Sequence, residues 1–265
     1  MTCKMFRIDL TLVLAFALSS VAGAATCSNY SLSGTYGLLH GGTAVTGLPT
    51  RSMAQFTFDP TTATFASVTT ASHNGVIATE IVPGTYAVAS NCTGKGTWII
   101  GTMKDNFSFV VTSNGFFLVT QFPGATQEGV AAKQGSPTCT NERVEGSFGF
   151  QATGLFVAGA PVTGPVALVG ELKLSVTASG AGVISGRVAG SENGTLFTFA
   201  QEPVTGSYSV DADCRGTATI TPKGRSEMHF KLVVVGGGNE MLAIETDANT
   251  VVSGTLENND MLQSF

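Results

Sequence analysis

Apolar and polar residues alternate in short runs along most of this chain, and Gly, Asn or Pro closes each run. An alternation of period two places one set of side chains on one face of a strand, against a core. In the first half this pattern predicts strands near 33–40, 53–58, 64–73, 76–82, 85–89, 96–103, 107–112, 116–121 and 130–133. Asn74-Gly75 and Asn114-Gly115 sit between such runs, and Asn-Gly fits the type I′ turn that matches strand twist. Asn193-Gly194 and the run Gly236-Gly237-Gly238-Asn239 stand at the corresponding places in the second half. Strands joined by tight turns are neighbours in space, which predicts an antiparallel meander. A meander of about eight strands removes its exposed edges by closing into a barrel. The apolar stretch 154–170, broken by Pro161, Pro165 and several glycines, reads as a strand with a long hydrophobic loop.

The pattern occurs twice. Residues 84–97, G-T-Y-A-V-A-S-N-C-T-G-K-G-T, return without a gap at 206–219 as G-S-Y-S-V-D-A-D-C-R-G-T-A-T. The opening C-x-N-x-x-x-x-G-[ST]-[YF]-G at Cys27 recurs at Cys139. The offset between copies grows from 112 at these cysteines to 116 at Phe56/Leu172, 119 at Asn74/Asn193, and 122 in the central motif. It reaches 124 where Leu118 and Gln121 are matched with Leu242 and Glu245. Preserved order with a growing offset is the mark of a duplication that has gained loop residues.

Composition adds to this picture. Hydrophobic residues make up 43% of the 265 and charged residues 12%, enough apolar material for two cores. A net charge of -5 leaves no basic surface for phosphates, so no nucleic-acid partner is expected. Lys4 and Arg7, an apolar run, and Ala22-Gly23-Ala24 read as a signal peptide over residues 1–24, with a secreted, periplasmic or extracellular mature chain. That run is too short to span a bilayer, so no stable transmembrane segment is expected. An outer-membrane barrel would keep alternate apolar residues near its C-terminus, and Glu257, Asn259 and Gln263 break that rule. Past the leader, each copy carries one cysteine at its start and one in its central turn. Of three pairings the simplest is Cys27–Cys92 with Cys139–Cys214.

The central motif, followed by the glycine-rich hairpin and I-E-T-D-A-N-T-V-V-S-G from Ile244, resembles uncharacterised exported bacterial β-repeat proteins. In shape, the meander with its G-T-Y hairpin is similar to the allene oxide cyclase and dirigent barrels. The resemblance implies a fold; no catalytic residue of those families matches a position here. The reading is therefore all-β: two tandem antiparallel β-barrel units of calycin or allene-oxide-cyclase-like form, over residues 25–135 and 139–265. β-Sandwiches are the alternative.

Candidate chemistry is sparse. G-x-S-x-G and H-E-x-x-H are absent, Gly236-Gly237-Gly238 lacks a following Lys-Ser/Thr, and no cofactor or metal site is expected. His40 and His229 lie on strands apart from any Ser or Asp pattern, and His73 precedes a turn. Gln121 and Glu245 are polar residues late in apolar strands; facing a barrel interior, they would orient a ligand or supply an acid with a raised pKa. Tyr86 and Tyr208 recur in the central motif, as core rings or ligand contacts. Three functions follow: a non-enzymatic, surface-associated or secreted protein holding a small apolar molecule; a cyclase- or isomerase-like enzyme using a buried acid such as Glu245; or a structural, adhesive module using the apolar loop near 155–168.

Overall fold

The computed structural model describes residues 26–135, 138–198 and 203–259. The expected signal peptide lies outside the described residues. The chain folds into two closed eight-stranded antiparallel barrels in tandem. The first contains β1 (Gly34–Thr43), β2 (Pro49–Asp59), β3 (Thr64–His73), β4 (Val76–Val88), β5 (Thr93–Ile100), β6 (Met103–Val111), β7 (Gly115–Thr120) and β8 (Thr126–Lys133). Each strand pairs with its chain neighbours, and β8 pairs with β1 to close the ring. The second contains β9 (Gly146–Phe156), β10 (Gly164–Val176), β11 (Gly182–Glu192), β13 (Pro203–Val210), β14 (Arg215–Pro222), β15 (Met228–Val235), β16 (Glu240–Glu245) and β17 (Thr250–Asn258). It closes through β10–β11 and β17–β9, while the short β12 (Thr195–Phe197) adds to the edge of β11.

Two sequence expectations change. The runs 76–82 and 85–89 form one strand, β4, which passes through Pro83-Gly84. The apolar stretch 154–170 is two paired strands, with Gly164 opposite Phe156, joined by a turn over 157–163. Pro165 is tolerated because it is the second residue of β10, where a missing N–H costs little.

The lower end of each barrel is built identically. The bridges are Cys27–Cys92 and Cys139–Cys214, each with Cα atoms 4.9 Å apart. A 3-10 turn follows each first cysteine, Asn29–Leu32 and Asn141–Val144. Its asparagine reaches the central motif: Asn29 Oδ1 accepts from the Val88 amide and Asn141 Oδ1 from that of Val210, both at 2.8 Å. Cys92 and Cys214 hold left-handed backbone, with φ of 66° and 65°, in the turn between paired strands.

The barrels pack side against side. Met53 from β2 meets Val233, Val235, Leu242 and Ile244 from the outer faces of β15 and β16. Gly37 permits the approach, since a Cβ there would lie 2.6 Å from Val235 Cγ1. Gln134 Nε2 donates to the Asp213 carbonyl at 3.1 Å, Gln55 Nε2 donates to the same oxygen, and Ser72 Oγ donates to the Thr250 carbonyl. These bonds satisfy polar groups that the contact removes from water.

Candidate functional site

Inward residues of the first barrel form layers. At the disulfide end the layers are aromatic: Tyr36, Phe58, Phe65, Tyr86, Phe109 and Phe116 pack edge-to-face and tilted, with Phe58 and Tyr86 centroids 4.9 Å apart. Toward the other end the same faces become polar or small. The inward series on β2 runs Phe58, Phe56, Ala54, Ser52, Thr50, and on β3 Phe65, Ser67, Thr69, Ala71, His73. Small side chains leave space, and the result is a cup of about 200 Å³. Its floor is Phe56, Leu38 and Trp98; its walls include His40, Ser52, Thr69, Glu80 and Asp105.

A local cause opens this cup. Tyr86 directs its amide to Ala63 on the β3 side. Amides alternate along a strand, so position 83 faces β5. Pro83 has no N–H to offer, and the β4–β5 ladder ends at Gly84 opposite Trp98. Above that point Ala78, Glu80 and Val82 stand apart from Ile100, with the cavity between. In the second barrel the corresponding ladder continues two residues further, to Val204 opposite Pro222.

The cup gathers unsatisfied chemistry. Among the described residues, three buried side-chain atoms lack a hydrogen-bond partner: His40 Nε2, Asp105 Oδ1 and Glu245 Oε2. The first two residues line the cup. Each such orphan costs about 1–3 kcal/mol relative to a satisfied group. His40 Nδ1 is 3.0 Å from Ser52 Oγ, and the ring lies 5.8 Å from that of Trp98. Burial first, then the charges of Arg51 and His73, push the His40 pKa down to about 4, so its ring is neutral at pH 7. Burial raises the pKa of Asp105. At the rim, His73 Nδ1 meets Thr50 Oγ1 at 3.1 Å.

The second barrel lacks this layer. Matching the two ladders by register places Ala152 where His40 stands, Val166 at Thr50, Leu168 at Ser52, Val188 at Thr69, Ile220 at Trp98 and Met228 at Asp105. The aliphatic chains fill the interior, leaving voids of about 30 and 20 Å³.

The residues singled out in the sequence are distributed differently. Tyr86 and Tyr208 are buried, and their hydroxyls donate to the carbonyls of Asn29 (3.2 Å) and Asn141 (3.1 Å). Glu245 is 3% exposed and points into the filled barrel, where burial, then Asp247 and Glu192, raise its pKa to about 8. Gln121 is exposed, and its equivalence with Glu245 fails: Phe107 pairs with Thr120, and Phe230 with Glu245. The true offset here is 125, because the β15–β16 connection is two residues longer than β6–β7. A match one residue out puts a side chain on the wrong face. His229, read as apart from any Asp, in fact holds Asp247 at 2.8 Å and Glu227 at 3.0 Å, on the surface. The cup residues were missed because each was weighed alone. The inward change from aromatic to polar along β2 and β3, absent from β10 and β11, was the available signal.

No family model matches the chain, and no curated protein matches it. Among solved structures it is similar to a protein of unknown function from the DUF3598 family of Nostoc punctiforme, with 10% identity over 86% of this chain and 97% of that one, at a TM-score of 0.26. It is also similar to kievitone hydratase of Nectria haematococca, with 8% identity over 91% and 93% of the two chains, at a TM-score of 0.33. The two disulfides fit an oxidising compartment. No helix among the described residues is long and apolar enough to cross a membrane.

Proposed function

We propose that the first barrel is a receptor for one small molecule, an apolar body with a polar head group, and that the second barrel is a filled partner that braces it. The observation that carries this reading is the meeting of two orphaned buried polar atoms, His40 Nε2 and Asp105 Oδ1, at one aromatic-floored cavity. Buried polar groups are ordinarily paired. Two such residues in the lining of one cavity leave hydrogen-bonding capacity for a ligand that enters it. Size bounds the occupant: an apolar cavity of roughly 150 Å³ holds benzene, so this cup suits one ring with a short polar substituent.

The reading is tested by NMR mapping of single-ring fragments on isotope-labelled protein. Shifts concentrated on the Trp98 indole and the amides of His40 and Asp105 support it. Shifts scattered over the surface, or concentrated on the second barrel, overturn it.

A further inference from the structure

The cup also specifies the charge of its occupant, an inference that rests on the small-molecule reading above. The carboxylate-bearing side chains of its lining, Glu80 and Asp105, have no cationic side chain beside them there. His40 Nδ1 pairs with Ser52 Oγ at 3.0 Å, and His40 Nε2 has no protein partner. Asp105 Oδ1 is an acceptor without a partner, and Glu80 places another carboxylate at the mouth. Neither Lys nor Arg lines the cavity among the described residues. Arg51 and Lys104 stand at outward positions of β2 and β6, next in sequence to the inward Ser52 and Asp105. The hydroxyls of Thr50 and Thr69 are engaged with His73 and Ser67.

We propose that the ligand of this cup is a primary ammonium on a single-ring or short aliphatic body. Two carboxylates in the lining of one cavity, Asp105 and Glu80, call for a head group with more than one donor. An alcohol has one donor, and a carboxylate has none and meets two like charges. An ammonium has three donors and a positive charge. That charge compensates a carboxylate partly withdrawn from water. The face of Trp98 on the floor attracts a cation as well, by its quadrupole.

The chain has a single tryptophan, Trp98, so its emission reports changes at the cup. The experiment titrates intact protein near neutral pH with three probes of one shape: benzylamine, benzyl alcohol and benzoate. Saturable change at lowest concentration for benzylamine, at least about tenfold tighter than benzyl alcohol, is expected, because one charge-assisted hydrogen bond supplies that ratio. Asp105→Asn is expected to erase the preference while benzyl alcohol still binds. Glu80→Gln, at the exposed rim where folding is not at stake, is expected to lower it about two- to threefold. Equal or tighter binding of benzyl alcohol or benzoate, or a preference unchanged in both variants, overturns the ammonium assignment and leaves the receptor reading standing. No saturable change with any probe removes both.

Discussion

Trp98 and Asp105 stand opposite each other across the β5–β6 ladder, and both side chains line the cup. At the same register in the second barrel stand Ile220 and Met228. One barrel keeps a polar pair where its sister packs hydrocarbon, and the polar choice carries an orphaned carboxylate oxygen. Asp105→Met, the residue of the second barrel, is therefore expected to stabilise the protein by about 1–3 kcal/mol while abolishing ligand binding. Urea unfolding and a titration followed by Trp98 emission check the two halves. A variant that is less stable and still binds contradicts the assignment.

Pro83 holds the cup open by withholding an N–H from β5. The residue at its register in the second barrel is Thr205, within a ladder that stays paired. Pro83→Thr is expected to extend the β4–β5 ladder, protect the new amide from hydrogen exchange, and weaken ligand binding by narrowing the mouth. Unchanged exchange along β4 and β5 counts against this cause.

Two buried titratable groups give stability opposite slopes with pH. The folded pKa of His40 lies near 4, below the ordinary value of 6.5, so the unfolded chain binds its proton more tightly between those values. Stability from this site is complete above about pH 6.5 and falls as pH drops toward 4, by something on the order of 2–3 kcal/mol. Glu245 runs the other way. Its folded pKa, raised to about 8 from 4.5, leaves its contribution complete below about pH 4.5 and lost as pH rises through 8. Glu245→Gln is expected to be more stable than the parent above about pH 8, with the difference closing near pH 5. Denaturant unfolding across this range checks it; a constant difference contradicts the burial of an ionisable group.

The contact between barrels depends on Gly37. A Cβ there would lie 2.6 Å from Val235 Cγ1 and 2.9 Å from both Val233 Cγ1 and Leu242 Cδ1, all three on buried side chains. Gly37→Val is expected to cost about 1–3 kcal/mol and to loosen the two barrels, seen as lost hydrogen-exchange protection at Asn249 and Gly237. Those amides donate across the contact, to the carbonyls of Gly75 and Gln134.

The architecture was largely legible in the chain. The recurrence of G-[ST]-Y-x-V-x-x-[ND]-C matches tandem barrels in which Tyr86 and Tyr208 play one part, and each cysteine pair closes within its own barrel. Three things were not legible. The contact between barrels was hidden, because Leu242 and Ile244 face the first barrel while Met241 and Ala243 face the core. β16 is therefore apolar on both sides, and its alternation carries no direction. For the same reason Glu245 was matched one residue out of register, with Gln121 in place of Thr120. The cup itself draws on seven strands, and no local window holds His40, Ser52, Thr69, Glu80, Trp98, Asp105 and Gln127 together. What brings them together is the closure of the ring, which only the paired registers reveal.

Native mass spectrometry of the protein taken from its own host tests the central claim most directly, comparing the parent with a variant whose cup is filled by Ala71→Phe. The account predicts one small basic molecule bound per parent chain and the bare chain for the variant. Bare protein in both, or the same adduct on both, contradicts it.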